Sequence, residues 1–280
     1  MTHAAPAPAH WPLWKRVWVR LRAGQVQAQA PRIAYFFFLS LPPLLMAAFA
    51  LAGIFGGDRT ADWLTTSLRA RLPAEAGELV NGFVAEVVHR SHPGLLSIGL
   101  LLALWSGSSV IIALEDGLNA IYDVSCARGL VRRRAVALGT LLAVGVLFLA
   151  GSAVLLAGPA IARGFGLGSV WGVVQWPLGF ALVVGAFWIV YRVLPKVERR
   201  GPELAAAVVA AALWVLATLA FRLYAAHFGS YSKTYGVLGG IIVLLLWMQY
   251  TAMVLLAGAT LAAEMQRTPS PRGWGEGAGG

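Results

Sequence analysis

The chain has 280 residues, of which 59% are hydrophobic and 12% are charged, and its formal net charge is +10. This composition excludes a water-soluble globular protein, because a soluble core of this size cannot enclose so much apolar surface. We therefore predict an all-α, polytopic membrane protein. Its positive charge is interpreted first as a topology signal, with anionic lipid headgroups as the natural partner and nucleic acid as a poor one.

Residues 1–32 are predicted to form a cytoplasmic tail. Trp11, Trp14 and Trp18 recur at helical spacing beside Lys15, Arg16, Arg20 and Arg22, which is typical of an amphipathic helix in the headgroup region. A basic segment before an apolar run is also typical of a signal peptide. The run that begins near residue 33 is too long for the apolar region of a signal peptide, so we interpret it as the first span.

Six apolar stretches follow, and together they predict a membrane domain over residues 33–264. Each is long enough for a transmembrane helix, whereas transmembrane strands would be about half that length and would alternate in polarity. Prolines within spans one and four predict kinked helices in a bundle. The predicted spans are 33–55, 95–115, 135–158, 171–192, 204–226 and 236–263.

The segments outside the spans carry further predictions. Residues 56–94 are expected to form an outer loop with an amphipathic helix, because Leu79, Phe83 and Val87 share one helical face. Residues 265–280 are rich in Gly, Pro and Ser and are predicted to be a disordered cytoplasmic tail. Of the 22 Lys and Arg residues, fifteen fall on the side of the termini and seven on the other. Both termini are therefore expected to be cytoplasmic.

No cofactor or metal is expected from the sequence. Cys126 is the single cysteine, so neither an intramolecular disulfide nor a thiolate metal site can form from it alone. His89 and His92 are the only histidines close together, and we interpret them as polar loop residues rather than as metal ligands.

Polar residues within or beside the apolar spans are the candidate functional positions, because each is costly in lipid unless it is paired or hydrated. Ser108, Glu115, Asn119 and Tyr122 share a helical stripe, and Glu115 or Asp116 is expected to pair with Arg192. Anchoring and inter-helix pairing explain these residues as well as a transport pathway does. The candidate pathway or pairing residues are Glu115, Asp116, Asn119, Arg192, Arg222 and Gln249.

A second set of candidates can bend helices or allow them to approach closely. Gly236 and Gly240 have the four-residue spacing of close helix contacts, and packing is their expected role, with a gate as the alternative. The set of candidate gate or packing residues is Pro42, Pro43, Tyr235, Gly236 and Gly240.

Four segments in order along the chain resemble the YihY/BrkB family of bacterial inner-membrane proteins. They are 34–43 (AYFFFLSLPP), 104–124 (LWSGSSVIIALEDGLNAIYDV), 191–195 (YRVLP) and 224–264, which contains Tyr231, Tyr235 and the Leu246-Trp247 pair. The resemblance covers about residues 30–267. It implies a six-span protein of the bacterial cytoplasmic membrane, in a group labelled virulence factors and formerly named ribonuclease BN.

Three functions remain open from the sequence. The first is transport or handling of a lipid, amphiphile or ion that supports the cell envelope; the second is a non-transporting scaffold for envelope partners. The third is a membrane enzyme, for which Glu115 or Asp116 with a His or Tyr would be the candidate acid/base pair. We do not expect an enzyme, and least of all a ribonuclease, because metal-assisted RNA hydrolysis needs a His and carboxylate cluster that the sequence lacks. Substrate, transport direction and homo-oligomeric state are left open.

Overall fold

The computed structural model describes residues 11–69, 93–124, 128–156, 158–166, 168–197, 201–227 and 237–267. Within these ranges every regular element is a helix, as the all-α prediction requires. The helices are α1 (Leu13–Arg22), α2 (Gln25–Arg69), α3 (Pro93–Ile121), α4 (Leu130–Leu156), α5 (Gly158–Gly164), α6 (Gly168–Val193), α7 (Glu203–His227) and α8 (Val237–Gln266).

Six of these helices are long and apolar enough to cross a membrane, which confirms the predicted six-span architecture. A helix satisfies its own backbone hydrogen bonds in lipid, where water cannot do so. The membrane-crossing segments are Gln25–Ala47, Gly99–Ile121, Leu130–Ser152, Gly168–Val193, Glu203–Tyr224 and Leu238–Gln266.

Several helices extend beyond the apolar stretches that predict them. Helix α2 begins at Gln25 and continues to Arg69, and its early start places Val26 and Ala30 in the core. Helix α3 continues to Ile121 because Leu118 and Ile121 are buried on its inner face. Packing at a helix end therefore sets these limits more than hydropathy does. The predicted amphipathic helix around residues 79–87 and the tail from 268 onward lie outside the described residues.

The six spanning helices pack as a ring. Going round, α2 contacts α3, α3 contacts α4, α4 contacts α6, α6 contacts α7, α7 contacts α8, and α8 returns to α2. Helix α8 also reaches across the ring to α3, where Leu256 lies against Gly117. Helix α1 packs on the C-terminal part of α8 and on the start of α2.

The end of the ring that holds α1, the start of α2 and the end of α8 is called the terminal end. Near it, every spanning helix contributes buried side chains, with Ile33, Leu118, Tyr191, Ala210 and Leu256 among them. Tyr191 is completely buried and donates a hydrogen bond from its hydroxyl to the carbonyl of Leu255 at 2.7 Å. This contact joins α6 to α8 and needs Gly258, because a Cβ there would collide with the Tyr191 hydroxyl and with Ala210.

The opposite half of the ring is packed much less closely. We define the far half as residues 141–152 of α4, 168–183 of α6, 212–224 of α7 and 238–247 of α8. Every side chain in these four segments is at least partly exposed, whereas the terminal half of each of the same helices contains buried residues. Four of the six spanning helices are therefore closely packed at the terminal end and more exposed in the far half, where α4 still contacts α6 and α7 still contacts α8.

Candidate functional site

Charged residues from five parts of the chain meet at the terminal end, around the last turns of α3. Their side chains form two adjacent groups of ion pairs, one around Glu115 and Asp116 and one around Glu264 and Asp123, which together we call the terminal layer. Its members are Arg16, Arg20, Arg32, Glu115, Asp116, Asp123, Arg128, Arg133, Glu264 and Arg267.

Glu115 is the most deeply buried carboxylate of the terminal layer, with a side chain only 1% exposed. Arg128 donates to its Oε1 at 2.6 Å, and Arg133 donates to its Oε2 at 3.3 Å. A carboxylate at this depth is stable in its charged form only when it is paired and hydrogen-bonded. Two guanidinium groups, both from the segment that follows α3, supply that pairing.

Asp116 lies beside Glu115 but is more accessible, with a side chain 29% exposed. It pairs with Arg133 through Oδ1 and with Arg32 through Oδ2, the latter at 2.8 Å. Arg133 is thus shared by two adjacent carboxylates, and it also donates to the Ile112 carbonyl at 3.2 Å. These contacts hold α2, α3 and α4 together at one level of the bundle.

Glu264 near the end of α8 is the second buried carboxylate of the terminal layer, and α1 supplies its closest partners. Arg20 donates to its Oε1 at 2.8 Å, and Arg16 donates to its backbone carbonyl at 3.1 Å. Arg20 also bonds Asp123 and the Ile121 carbonyl, each at 2.6 Å. Because Arg267 bonds Asp123 at 2.6 Å as well, both ends of the described chain are attached to the end of α3.

The C-terminal end of α6 is held at the same place by polar groups. Arg128 donates to the carbonyls of Leu194 at 2.6 Å and Val193 at 3.0 Å. A cation at a helix C-terminus stabilises the carbonyls that lack an intrahelical donor. In addition, the side-chain carbonyl of Asn119 accepts from the Lys196 backbone N–H at 3.3 Å. The two contacts attach the end of α6 to α3.

Tyr122, just after α3, carries a buried hydroxyl with no hydrogen-bond partner among the described residues. Burial raises the pKa of Tyr122 well above its usual value, and the negative charge of Glu203 adds to the effect. The phenol is therefore neutral at any physiological pH. It contributes an apolar ring to the core cluster, and its hydroxyl is not positioned as a proton donor to a described carboxylate.

Comparison with known proteins places this architecture in a family. Residues 17–278 match the family model described as "Virulence factor BrkB". The chain belongs to the BrkB family. YfkH of Bacillus subtilis (strain 168), whose name describes it as ribonuclease-like, is 28% identical over 267 residues, covering 90% of this chain and 94% of that protein.

Other relatives of this BrkB-family protein carry the name UPF0761 membrane protein. The one from Tolumonas auensis is 29% identical over 266 residues, covering 90% of this chain and 83% of the relative. The one from Aeromonas salmonicida is 29% identical over 256 residues, with coverages of 88% and 86%. These matches agree with a multi-pass membrane protein. No solved structure matches the chain.

In this BrkB-family protein, three of the six candidate pathway or pairing residues meet in or beside the terminal layer, namely Glu115, Asp116 and Asn119. The expected pairing of Glu115 or Asp116 with Arg192 is wrong. Arg192 lies 3.7 Å from Glu203 at the start of α7, because the closer Arg128 and Arg133 follow α3 directly. Arg222 is exposed near the far end of α7, and Gln249 is half-buried in the middle of α8.

Three of the five candidate gate or packing residues lie in the described part of the chain, namely Pro42, Pro43 and Gly240. Pro42 and Pro43 lie inside α2, and α2 continues past both. A Cβ added at Gly240 would meet no atom within 4 Å among the described residues, so no close contact with a described helix forms at this glycine. Tyr235 and Gly236 lie outside the described residues. One glycine that does allow close approach between helices is Gly258, which the spacing motif did not include.

Sequence reasoning missed the partners that the carboxylates use. The sequence assigns Arg16 and Arg20 to an interfacial helix and uses Arg128 and Arg133 as evidence for topology, since each lies outside the apolar stretches. A usable signal was present for two of them: Glu115 and Asp116 end one apolar stretch, and Arg128 and Arg133 come shortly before the next. Neighbouring antiparallel helices bring such flanking charges together.

Proposed function

We propose that this protein handles an amphiphile, a lipid or a lipid-linked envelope precursor, within the bacterial inner membrane, and thereby supports the cell envelope. The observation that carries the proposal is the difference in packing between the two halves of the ring. The terminal half is closed by a buried core and a layer of ion pairs. In the far half, every side chain of its four helix segments is at least partly exposed.

The chemistry of the far half favours an amphiphile over an inorganic ion. Across its four segments Arg222 is the only side chain with a formal charge, and the remainder are mainly aliphatic and aromatic. An ion would need carboxylates or a series of carbonyl ligands along its path. Acyl chains need only apolar walls, and Phe221 with Tyr224 and Tyr250 provides an aromatic group near the far end.

The terminal layer supports a closed end in this arrangement. An amphiphile that moved past Glu115 or Glu264 would have to separate buried ion pairs, and each separation exposes an uncompensated charge. Entry and exit at the far end, or sideways between the more exposed helices of the far half, avoid that cost. The proposed substrate compartment therefore lies between the terminal layer and the far end.

Helix α1 supports a membrane-surface contact beside this compartment. Arg16 and Arg20 face Glu264. On the rest of the helix surface, Trp14 is 68% exposed and Trp18 is 52% exposed. Arg22 stacks over Trp18 at 4.7 Å. Tryptophan beside a basic group suits the headgroup region, so we propose that this face of α1 binds anionic headgroups at the cytoplasmic surface.

One observation favours the second candidate, a non-transporting scaffold. Glu115, Asp116 and Asn119 all bond groups on other helices or on the segments that follow them, as expected where polar groups serve only to hold helices together. We do not propose an enzyme or a ribonuclease. Both neighbouring carboxylates are occupied by arginines, and the ribonuclease-like description stays with YfkH.

The experiment that separates the two candidates fills the far half with a bulky side chain. Ala217 continues the inner face of α7 that carries Ala207, Ala210 and Trp214, and it is half-buried. Leu216, on the outer face, is 62% exposed. We would purify the wild type, Ala217→Trp and Leu216→Trp and compare their co-purifying lipids by mass spectrometry with the bulk membrane composition.

Amphiphile handling predicts one lipid class enriched with the wild type and with Leu216→Trp, and a return to bulk composition with Ala217→Trp. In a deletion strain, the wild type and Leu216→Trp should likewise rescue the envelope phenotype, and Ala217→Trp should not. Bulk composition in all three proteins, with full rescue by Ala217→Trp, would reject the compartment and leave the scaffold.

A further inference from the structure

Arg134 differs from the other half-buried arginines of the terminal half in having no carboxylate partner. Arg20, Arg128 and Arg133 each bond an acidic side chain. Among the described residues Arg134 bonds none, although it is only partly exposed. Its contacts are instead neutral groups on α3.

The neutral groups come from one turn of α3. Arg134 Nη1 donates to Ser108 Oγ at 2.6 Å and approaches Ser109 Oγ at 3.3 Å. Both serine hydroxyls already donate to the Trp105 carbonyl at 2.9 Å, so they act as acceptors toward Arg134. Its guanidinium also stacks over the Trp105 ring at 4.0 Å. The N–H groups on Nε and Nη2 of Arg134 have no hydrogen-bond acceptor in the described part of the chain.

The depth of this site makes an unpaired cation costly. Ser108 precedes Asp116 by eight residues, which is about 12 Å along a helix, so the Arg134 contacts lie deeper than the terminal layer. A cation at such a level is stable when an anion or water reaches it. The site is also accessible, because Trp105 is 63% exposed. An anion could therefore approach through the groove between α3 and α4.

We propose that Arg134, held by Ser108 and stacked on Trp105, binds the phosphate group of an anionic amphiphile in the groove between α3 and α4. A guanidinium fork matches phosphate oxygens and can donate two parallel bonds, and Nε with Nη2 has the donors for that geometry. The apolar surface beside the site, Leu101 and Leu102, is exposed and suits an acyl chain. This assignment rests on the proposed function and names its substrate class.

The test measures lipid binding directly. Phosphatidylglycerol and diacylglycerol, which has no phosphate group, would each be titrated into the purified full chain in a neutral detergent and followed by native mass spectrometry. Arg134→Ala should weaken phosphatidylglycerol binding about tenfold or more, the loss expected for charge-assisted hydrogen bonds, with little change for diacylglycerol. Arg132→Ala is the matched control, since Arg132 has the same charge on the same helix and is exposed.

Two further variants keep the test decisive if Arg134→Ala does not fold. Arg134→Lys keeps the charge without the fork, and Trp105→Leu removes the stacking; each should weaken phosphatidylglycerol binding several-fold. Equal losses in Arg134→Ala and Arg132→Ala would overturn the site in favour of diffuse attraction. Tighter binding of inorganic phosphate than of phosphatidylglycerol would overturn it in favour of a free-phosphate site.

The outcome can be separated from that of the proposed function. Loss of binding in Arg134→Ala together with no effect of Ala217→Trp on co-purifying lipids would retain the phosphate site and reject the far-half compartment. The reverse pattern would retain the compartment and reject the phosphate site.

Discussion

Glu115 and Asp116 are chemically similar neighbours whose environments differ sharply. The Glu115 side chain is almost fully enclosed and the Asp116 side chain is 29% exposed, yet both bond Arg133. In a buried site the loss of one ion-pair partner leaves the other charge uncompensated, whereas at a partly hydrated site water replaces much of the lost interaction. The two positions therefore allow a matched comparison of what burial contributes.

Glu115→Gln should lower the free energy of unfolding by about 3 kcal/mol, because Arg128 and Arg133 lose their shared buried anion. Asp116→Asn should cost about 1 kcal/mol or less. Thermal unfolding of both variants in the same detergent at neutral pH measures the difference. Similar losses in the two variants would mean that burial does not determine the strength of these pairs.

At the level of elements, α6 and α8 depend on one close contact. The Tyr191 hydroxyl reaches the Leu255 carbonyl only because residue 258 has no side chain. Small residues commonly permit such approach between membrane helices, where hydrophobic burial supplies little driving force. The interface thus combines a short hydrogen bond with close backbone packing.

Gly258→Val should destabilise the protein by about 2 kcal/mol or more, since added volume at a tight contact forces helices apart. Gly240→Val on the same helix should be nearly neutral, because open space surrounds that position. Size-exclusion profiles and thermal unfolding in detergent would compare the two. A Gly258→Val protein as stable as Gly240→Val would contradict the close contact.

The number and type of the spanning helices follow from the sequence, since length and apolar composition leave few alternatives in lipid. Their ends and partners do not. Helix α3 continues to Ile121 because of packing against other helices, and Arg32 meets Asp116 across a separation of 84 residues. The sequence gives the residue types at positions 134 and 258, but it does not predict that Arg134 contacts Ser108 or that Gly258 lies against Tyr191. Those contacts depend on tertiary packing.

At the level of the whole molecule, the even number of spans places the two ends of the described chain together. Arg20 and Arg267 both bond Asp123, so α1 and the end of α8 lie on one side. The charge distribution predicts that this side is cytoplasmic. The orientation has its own direct test.

A green fluorescent protein fused after Gly280 should fluoresce, and an alkaline phosphatase fused there should be inactive, because alkaline phosphatase folds only outside the cytoplasm. Insertion of alkaline phosphatase at the α5–α6 connection, on the opposite side, should give an active enzyme. The reverse pattern at the two positions would invert the assigned orientation.

The terminal layer also has a consequence for the order of assembly. Glu115 finds Arg128 and Arg133 within 18 residues of the chain, so this pairing can form as soon as the α3–α4 hairpin has been inserted. Glu264, in contrast, is synthesised 248 and 244 residues after its partners Arg16 and Arg20. Helix α1 therefore has no complete docking site until α8 has emerged. A chain interrupted before α8 would therefore leave Arg16 and Arg20 of α1 without Glu264, so the docking of α1 reports that synthesis has reached the last span.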